Sequence, residues 1–172
     1  MISEEYRKEQ ERLHLNPEYG VASVSFAPIV SEMINNIGIT EVLDYGAGKG
    51  RLGKSLRVSP DVEVRHYDPA IPEWSDVPDS AQLVCCIDVL EHVEPDQLDA
   101  VLDDLQRCTE FFGFFSIHTG PAVKTLSDGR NAHLIQEPSS WWLPKIQERF
   151  NLMTFQLTDS GFWIMVKAYG DQ

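Results

Sequence analysis

The fold of this chain is decided by nine residues, Val42-Leu43-Asp44-Tyr45-Gly46-Ala47-Gly48-Lys49-Gly50. A short strand is predicted at 42–45, and it runs directly into a loop that contains three glycines. A helix is predicted to follow at 51–57. Glycines at such a junction let the backbone turn tightly and pass close to a ligand. A strand, a glycine loop and a helix in this order are typical of the first unit of a parallel α/β sheet.

Strands and helices alternate along the rest of the chain. Strands are predicted at 62–67, 83–87, 111–117, 151–157 and 162–169, and helices at 4–13, 26–37, 96–110 and 141–150. Ser25 is a predicted cap of the second helix, Gly38 its end, and Ser139 or Ser140 the cap of the last helix. The turn at 158–161 makes the last two strands an antiparallel hairpin.

One part of the usual pattern is too short. The segment between Asp68 and Gln82 does not leave room for a further helix–strand–helix unit. We therefore predict an α/β fold with a Rossmann-like, mostly parallel sheet, helices on both faces and a closing antiparallel hairpin. One edge strand of this sheet should be shortened or missing.

The length and composition predict one folded domain, 1–172. The chain has 172 residues, three cysteines and a formal net charge of −13. No apolar run is long enough to span a membrane, and the cysteines form no disulfide framework, so we expect a cytoplasmic protein. The acidity argues against nucleic acid as a partner. We expect a small-molecule substrate, no membrane association, and a monomer or weak dimer.

The glycine loop is compatible with two kinds of cofactor. Gly48 to Gly53 spells the dinucleotide pattern G-x-G-x-x-G, and Asp68 follows Gly48 by twenty residues, where an acid would bind ribose hydroxyls of NAD. Asp44, however, lies two residues before Gly46 and would repel a pyrophosphate. A carboxylate there suits a ligand with a cationic amine or sulfonium group.

Two motifs carry a resemblance to a known family. Asp44 to Gly50 resembles motif I of class I S-adenosylmethionine-dependent methyltransferases, and Asp88-Val89-Leu90-Glu91-His92-Val93 is similar to the segment that ends the family's fourth strand. The resemblance implies S-adenosyl-L-methionine as cofactor. The cofactor-binding residues that we predict from the residues and from this resemblance are Asp44, Gly46, Ala47, Gly48, Gly50, Asp68, Pro69, Asp76, Ile87, Asp88 and Tyr19. Asp68 is expected at the ribose, Asp76 at the adenine, and Tyr19 within an N-terminal helical cap, 1–38.

The loop 119–138 is the predicted substrate side, because a long irregular loop in a small domain is often functional. Asp128, Arg130 and Asn131 are candidate substrate contacts. Alternatively, Arg130 pairs with Asp128 and the loop binds itself. The candidate bases for removing a proton from the acceptor are His118, His133 and His92, and the alternative for His92 is a packing role. No Cys/His set has metal-ligand spacing, so no metal is predicted.

The function predicted from these residues is S-adenosylmethionine-dependent methyl transfer to a small polar acceptor by direct displacement. One alternative is a binding module for the same cofactor without catalysis. Another is methylation of a nucleotide or nucleic acid. The Asn/Asp-Pro-Pro-Tyr/Phe motif of amino-methyltransferases does not stand after the 83–87 strand, where 88–91 reads Asp-Val-Leu-Glu. This argues against methylation of a base amino group.

Overall fold

A computed structural model describes residues 2–16 and 20–170. The strands are β1 (Glu41–Tyr45), β2 (Glu63–Tyr67), β3 (Ala81–Ile87), β4 (Thr109–His118), β5 (Phe150–Leu157) and β6 (Gly161–Ala168). The helices are α1 (Glu4–His14), α2 (Ala22–Ile37), α3 (Arg51–Ser55), α4 (Leu98–Cys108) and α5 (Ser139–Gln147). Within these ranges, no helix is long and apolar enough to cross a membrane.

The six strands form one mixed sheet in the order β2-β1-β3-β4-β6-β5. The first four strands of this order are parallel, and β6 pairs antiparallel with both β4 and β5. The predicted α/β class, parallel sheet and closing hairpin are confirmed. Between β2 and β3 the described chain forms only a short 3-10 turn, Pro72–Trp74, so β2 is an edge of the sheet. The prediction of a missing edge strand is therefore confirmed as well.

Apolar side chains fill both faces of the sheet. On one face, α4 buries Val101, Leu102 and Leu105 together with Trp142 of α5. On the other face, the α2 side chains pack with Leu52 against β1 and β3. The central strand β3 is buried almost throughout, as a parallel strand covered on both faces requires.

Helix ends follow local chemistry only in part. Gly38 ends α2 in the left-handed conformation, with φ of 80°, as predicted. The predicted cap Ser25 is wrong, because α2 begins three residues earlier, at Ala22, and the Ser25 hydroxyl donates to the Ala22 carbonyl inside the helix. Ser139 and Ser140 are wrong as caps too. They are the first residues of α5, and the residue before them, Pro138, has no side chain that can cap.

Acids of α4 make hydrogen bonds and ion pairs with neighbouring elements, which a purely solvated helix face would not need. Asp104 accepts a hydrogen bond from the buried Tyr45 hydroxyl at 2.8 Å, and Arg107 lies 2.8 Å from the same carboxylate. Arg149, which is itself largely buried, reaches Asp103 at 2.6 Å and so ties the end of α5 to α4. These contacts connect α4 to β1 and to the end of α5.

Replacing Leu102 tests the core between α4 and the sheet. Leu102→Ala should lower the free energy of unfolding by about 2–5 kcal/mol, because the side chain is fully buried and leaves a cavity. The matched control is Leu157→Ala on the edge strand β5, where the leucine is 61% exposed and the loss should stay below about 1 kcal/mol. Urea unfolding measures both, and equal losses would contradict this packing.

Candidate functional site

A cleft of about 410 Å³ opens at the carboxyl ends of the parallel strands. This is the edge at which α/β sheets bind ligands, because the loops that follow the strands meet there. Most of the residues predicted for the site lie in its lining. They are Asp44, Gly46, Ala47, Gly48, Asp68, Pro69, Ile87, Asp88, His92, His118 and His133. Tyr19 lies outside the described residues.

Amides of the glycine loop donate hydrogen bonds to acceptors within the protein. The Gly46 and Ala47 N–H groups donate to the Tyr67 carbonyl at 2.7 and 3.0 Å, and the Gly48 N–H donates to Asp68 at 2.8 Å. The Gly50 N–H donates to the Ala47 carbonyl at 2.8 Å. A pyrophosphate bound in such a loop needs these donors. The dinucleotide interpretation of Gly48 to Gly53 is therefore not supported by the geometry.

Gly46 has a further reason to be glycine. Its φ is 77°, and a Cβ on it would lie 2.4 Å from Cγ2 of Val89. The loop after β1 thus touches the loop after β3, which closes one side of the cleft. A larger residue would force these two loops apart.

Asp44 is a buried carboxylate beside the loop. Only 3% of its surface is exposed, and its Oδ2 has no hydrogen-bond partner within the described part of the chain. The ring of His66 lies next to this carboxylate, with Nδ1 3.5 Å from Oδ2. Burial raises the pKa of Asp44, and the His66 ring opposes that shift. A buried acceptor of this kind is suited to a cationic or hydrogen-bond-donating ligand.

Asp68 holds the loop and faces the cleft at the same time. Its Oδ2 accepts from Gly48 and its Oδ1 accepts from the Ala70 N–H at 2.9 Å. A carboxylate oxygen has two lone pairs, so each oxygen can accept one more hydrogen bond. His14 of α1 lies 3.8 Å from Oδ2. Two acceptor oxygens at one place are what a pair of ribose hydroxyls requires.

Asp88 is held in a strained conformation after β3. Its φ is 51°, which is uncommon for a residue other than glycine. The Ser116 hydroxyl donates to its Oδ1 at 2.5 Å, and its own N–H donates to the Ser116 carbonyl at 3.1 Å. Strain of this kind persists where the surroundings fix the residue, as they do at many ligand sites.

The helix α1 and the loop 119–138, together called the cover, lie over the cleft. Tyr6 and Leu13 of α1 pack against Leu126 and Ala132 of the loop. Glu9 accepts a hydrogen bond from the Ser127 N–H at 3.0 Å, which joins the two parts. Both parts contribute to the lining, which includes Tyr6, Gln10 and His14 from α1 and 121–124 from the loop.

Three histidines meet under the cover. The rings of His92 and His118 each lie 4.7 Å, centroid to centroid, from the ring of His133. His92 and His133 place Nδ1 on the carbonyls of Ala132 and Gly120, at 2.8 and 2.7 Å. In a neutral ring this puts the proton on Nδ1 and a lone pair on Nε2.

The third histidine has the opposite arrangement. The Nδ1 of His118 accepts from the Gly120 N–H at 3.1 Å, so a neutral His118 carries its proton on Nε2 and acts as a donor. Burial lowers the pKa of His92 to about 4 and also lowers the pKa of His133. His92 and His133 are therefore neutral at pH 7 and can accept a proton, whereas a neutral His118 offers its Nε2–H as a hydrogen-bond donor.

Glu91 is the residue that the sequence analysis left without a role. Its side chain is fully buried, its Oε1 accepts from the His118 N–H at 3.1 Å, and its Oε2 has no hydrogen-bond partner among the described residues. Burial, followed by the nearby charge of Asp88, raises the pKa of Glu91 well above its usual value. The available signal was a glutamate beside a histidine in an otherwise apolar segment, 89–93.

Several predicted residues lie away from the cleft. Arg130 pairs with Asp128 at 2.7 Å, and both are exposed. Asn131 bonds to Ala122 through both its carbonyl and its amide group. The alternative of a loop that binds itself therefore describes these three residues.

Two further predicted cofactor contacts, Asp76 and Gly50, are also absent from the lining. Asp76 is exposed, and Gly50 lies behind the loop against Trp74. The Trp74 ring stacks on His66 with centroids 4.6 Å apart. It therefore covers the sheet edge left open by the missing strand.

Comparison with solved structures identifies the fold. A Burkholderia thailandensis 1,6-didemethyltoxoflavin-N1-methyltransferase, solved with that molecule and S-adenosylhomocysteine, is 15% identical over 96% of this chain and 90% of its own, with a TM-score of 0.63. The N-terminal domain of EvdMO1, solved in the presence of S-adenosylhomocysteine and D-fucose, is 14% identical over 99% and 98%, with a TM-score of 0.56. DhpI in complex with S-adenosylhomocysteine is 17% identical over 98% and 95%, also at 0.56.

The chain has the class I methyltransferase fold. The three neighbours cover almost its whole length at low sequence identity, so the likeness is one of architecture. No protein-family model and no curated protein matches the sequence.

Replacing Asp44 tests its burial. The unfolded carboxyl ionises at a lower pH than the folded one, because burial raises the folded pKa. The free energy of unfolding therefore falls as pH rises from the unfolded pKa, near 4, through the folded pKa. Asp44→Asn removes this loss, so the unfolding free energy of the variant relative to wild type should increase over that pH range. Denaturant unfolding at several pH values measures it, and a difference that does not change with pH would contradict the assignment.

Proposed function

We propose that this protein binds S-adenosyl-L-methionine in the cleft and transfers its methyl group to a small polar acceptor. The observation that carries the proposal is the buried Asp44 carboxylate, one oxygen of which has no hydrogen-bond partner among the described residues. It lies beside a glycine loop in which the amides of Gly46, Ala47, Gly48 and Gly50 already donate to protein acceptors. This combination favours a cationic ligand over a phosphate. The class I methyltransferase fold and neighbours solved with S-adenosylhomocysteine support the same choice.

The residues of the cleft fit the parts of that cofactor. Asp44 would accept hydrogen bonds from the methionyl ammonium group, and Asp68 from the ribose hydroxyls through its remaining lone pairs. Pro69 and Ala70 provide an apolar surface next to Asp68 that suits the adenine. Ile87 and Asp88 line the same cleft and would border the methionyl part.

The chain's own groups would supply position, dryness and proton transfer. The cofactor, when bound, provides a methyl group on a positively charged sulfur. The cover would shield the reactants from water, and the strand ends would fix their relative positions. His133 and His92 are neutral at pH 7 and can accept a proton from the acceptor, whereas His118 can donate a hydrogen bond to it.

The acceptor side of the cleft favours a small molecule. It is bounded by His118, His133 and the loop residues 121–124, and the cover closes it from above. The whole cleft is about 410 Å³, and the cofactor would take a large part of it. The acidic chain, with a net charge of −13, does not favour a long polyanion as substrate.

Turnover is the direct test of the proposal. The protein is incubated with S-adenosylmethionine and a panel of small hydroxyl and amine compounds, and the release of S-adenosylhomocysteine is measured. Acceptor-dependent release supports the enzyme. Tight binding of the cofactor without release for any acceptor would favour the non-catalytic binding module.

Binding measurements test the assigned contacts. Asp68→Ala should weaken binding of S-adenosylhomocysteine by about 1–3 kcal/mol, roughly 5- to 150-fold, because two hydroxyl contacts are lost. The matched control, Asp61→Ala, removes an exposed acid from the turn before β2 and should not change the affinity. Isothermal titration calorimetry measures both, with NADH as a second ligand. Tight NADH binding without S-adenosylhomocysteine binding would contradict the proposal.

A further inference from the structure

Two histidines and a glutamate gather beside the cleft. Glu91, His92 and His133 each offer one ligand atom, and these atoms all lie within 4.8 Å of one another. No metal-ligand spacing is visible in the sequence, because forty residues separate His92 from His133. The loop 119–138 folds back over the sheet and brings His133 next to the other two residues.

The two imidazoles make a hydrogen bond that metal-binding histidines commonly make. His92 and His133 each hold Nδ1 against a main-chain carbonyl, at 2.8 and 2.7 Å. Metal-binding histidines commonly fix their tautomer in this way, with one ring nitrogen on a carbonyl and the other on the ion. Both carbonyls belong to the loop 119–138, so the loop itself sets the direction of the rings.

Glu91 provides a separate observation. It is fully buried, and its Oε2 has no hydrogen-bond partner within residues 2–16 and 20–170. A buried carboxylate oxygen without a partner is costly, and a cation is one of the few groups that compensates it. The hydrogen bond from the His118 N–H to Oε1 fixes the side chain in this position.

We propose that Glu91, His92 and His133 bind a divalent transition-metal ion, which takes an oxygen of the methyl acceptor as a further ligand. Two imidazoles and one carboxylate favour ions such as Zn²⁺, Mn²⁺ or Co²⁺ over Mg²⁺, which prefers oxygen ligands. Three protein ligands leave coordination positions open for water or substrate. This site replaces our sequence-based expectation of no metal.

The position of the ion would select an oxygen acceptor. His92 and His133 line the same cleft as Asp44 and Asp68, so an ion between them borders the acceptor space. With the ion bound, His92 and His133 would hold it instead of accepting a proton. A bound hydroxyl would become more acidic and lose its proton to water. The oxygen lone pair would form the new C–O bond, and the electron pair of the breaking C–S bond would go to sulfur. This second part of the proposal rests on the proposed function.

The test separates the metal site from methyl transfer. Chelator-treated full-length protein is titrated with Zn²⁺, Mn²⁺ and Mg²⁺, one at a time, by calorimetry. One equivalent of Zn²⁺ or Mn²⁺ should bind, and Glu91→Gln and His133→Gln should each weaken this binding by roughly tenfold or more. Glu110→Gln, which removes an exposed carboxylate from β4, is the matched control and should bind as wild type does.

Two readouts keep the result decisive. Co²⁺ added to wild type should give visible absorption bands that are lost in His133→Gln. Both ligand variants should still bind S-adenosylhomocysteine, which shows that they fold and that the cofactor site is separate. Wild-type protein that binds S-adenosylhomocysteine but no divalent ion would overturn the metal site and leave the proposed function standing. Variants that bind the ion as tightly as wild type would overturn the choice of ligands.

Discussion

Amides of the loop after β1 donate hydrogen bonds to acceptors at the end of β2, and the geometry of the site depends on these bonds. Gly48 is tied to Asp68 across twenty residues, and Gly46 and Ala47 are tied to the end of β2. The ends of β1 and β2 are thereby locked together with two carboxylates facing the cleft. A loop with free amides would attract phosphate, whereas here the amides of Gly46, Ala47, Gly48 and Gly50 already have acceptors and two carboxylates add negative charge.

The sheet is predicted well from the sequence, because each strand is recognised from a short run of neighbouring residues. A buried parallel strand is apolar, and its carboxyl end lies at the ligand edge. Asp44, Asp68 and Asp88 could therefore be located from their places at the ends of predicted strands, together with the motifs that resemble methyltransferases. The loop 119–138 has no such periodicity. The meeting of His133 with His92 and the pairing of Arg130 with Asp128 depend on how this loop folds.

The acidity of the chain has two different structural origins. Asp68 and Asp88 line the cleft, where hydrogen bonds fix their carboxylates. Glu91 is buried next to His92, and this burial raises its pKa. Asp103 and Asp104 instead bind Arg149 and Tyr45, and so connect α4 to α5 and to the sheet. The net negative charge of the chain is therefore the sum of two groups of acids, one at or next to the cleft and one that holds α4 in place.

The two sides of the cleft differ in how firmly they are attached. One side is the edge of a six-stranded sheet, and the other is an eleven-residue helix that buries Tyr6 and Leu13 against a loop. Segments with little buried apolar surface open at a lower free energy than the whole domain. We therefore expect α1 to open at a lower free energy than the strands need to separate, which would give a molecule of the size of a nucleoside a way in and out of the cleft.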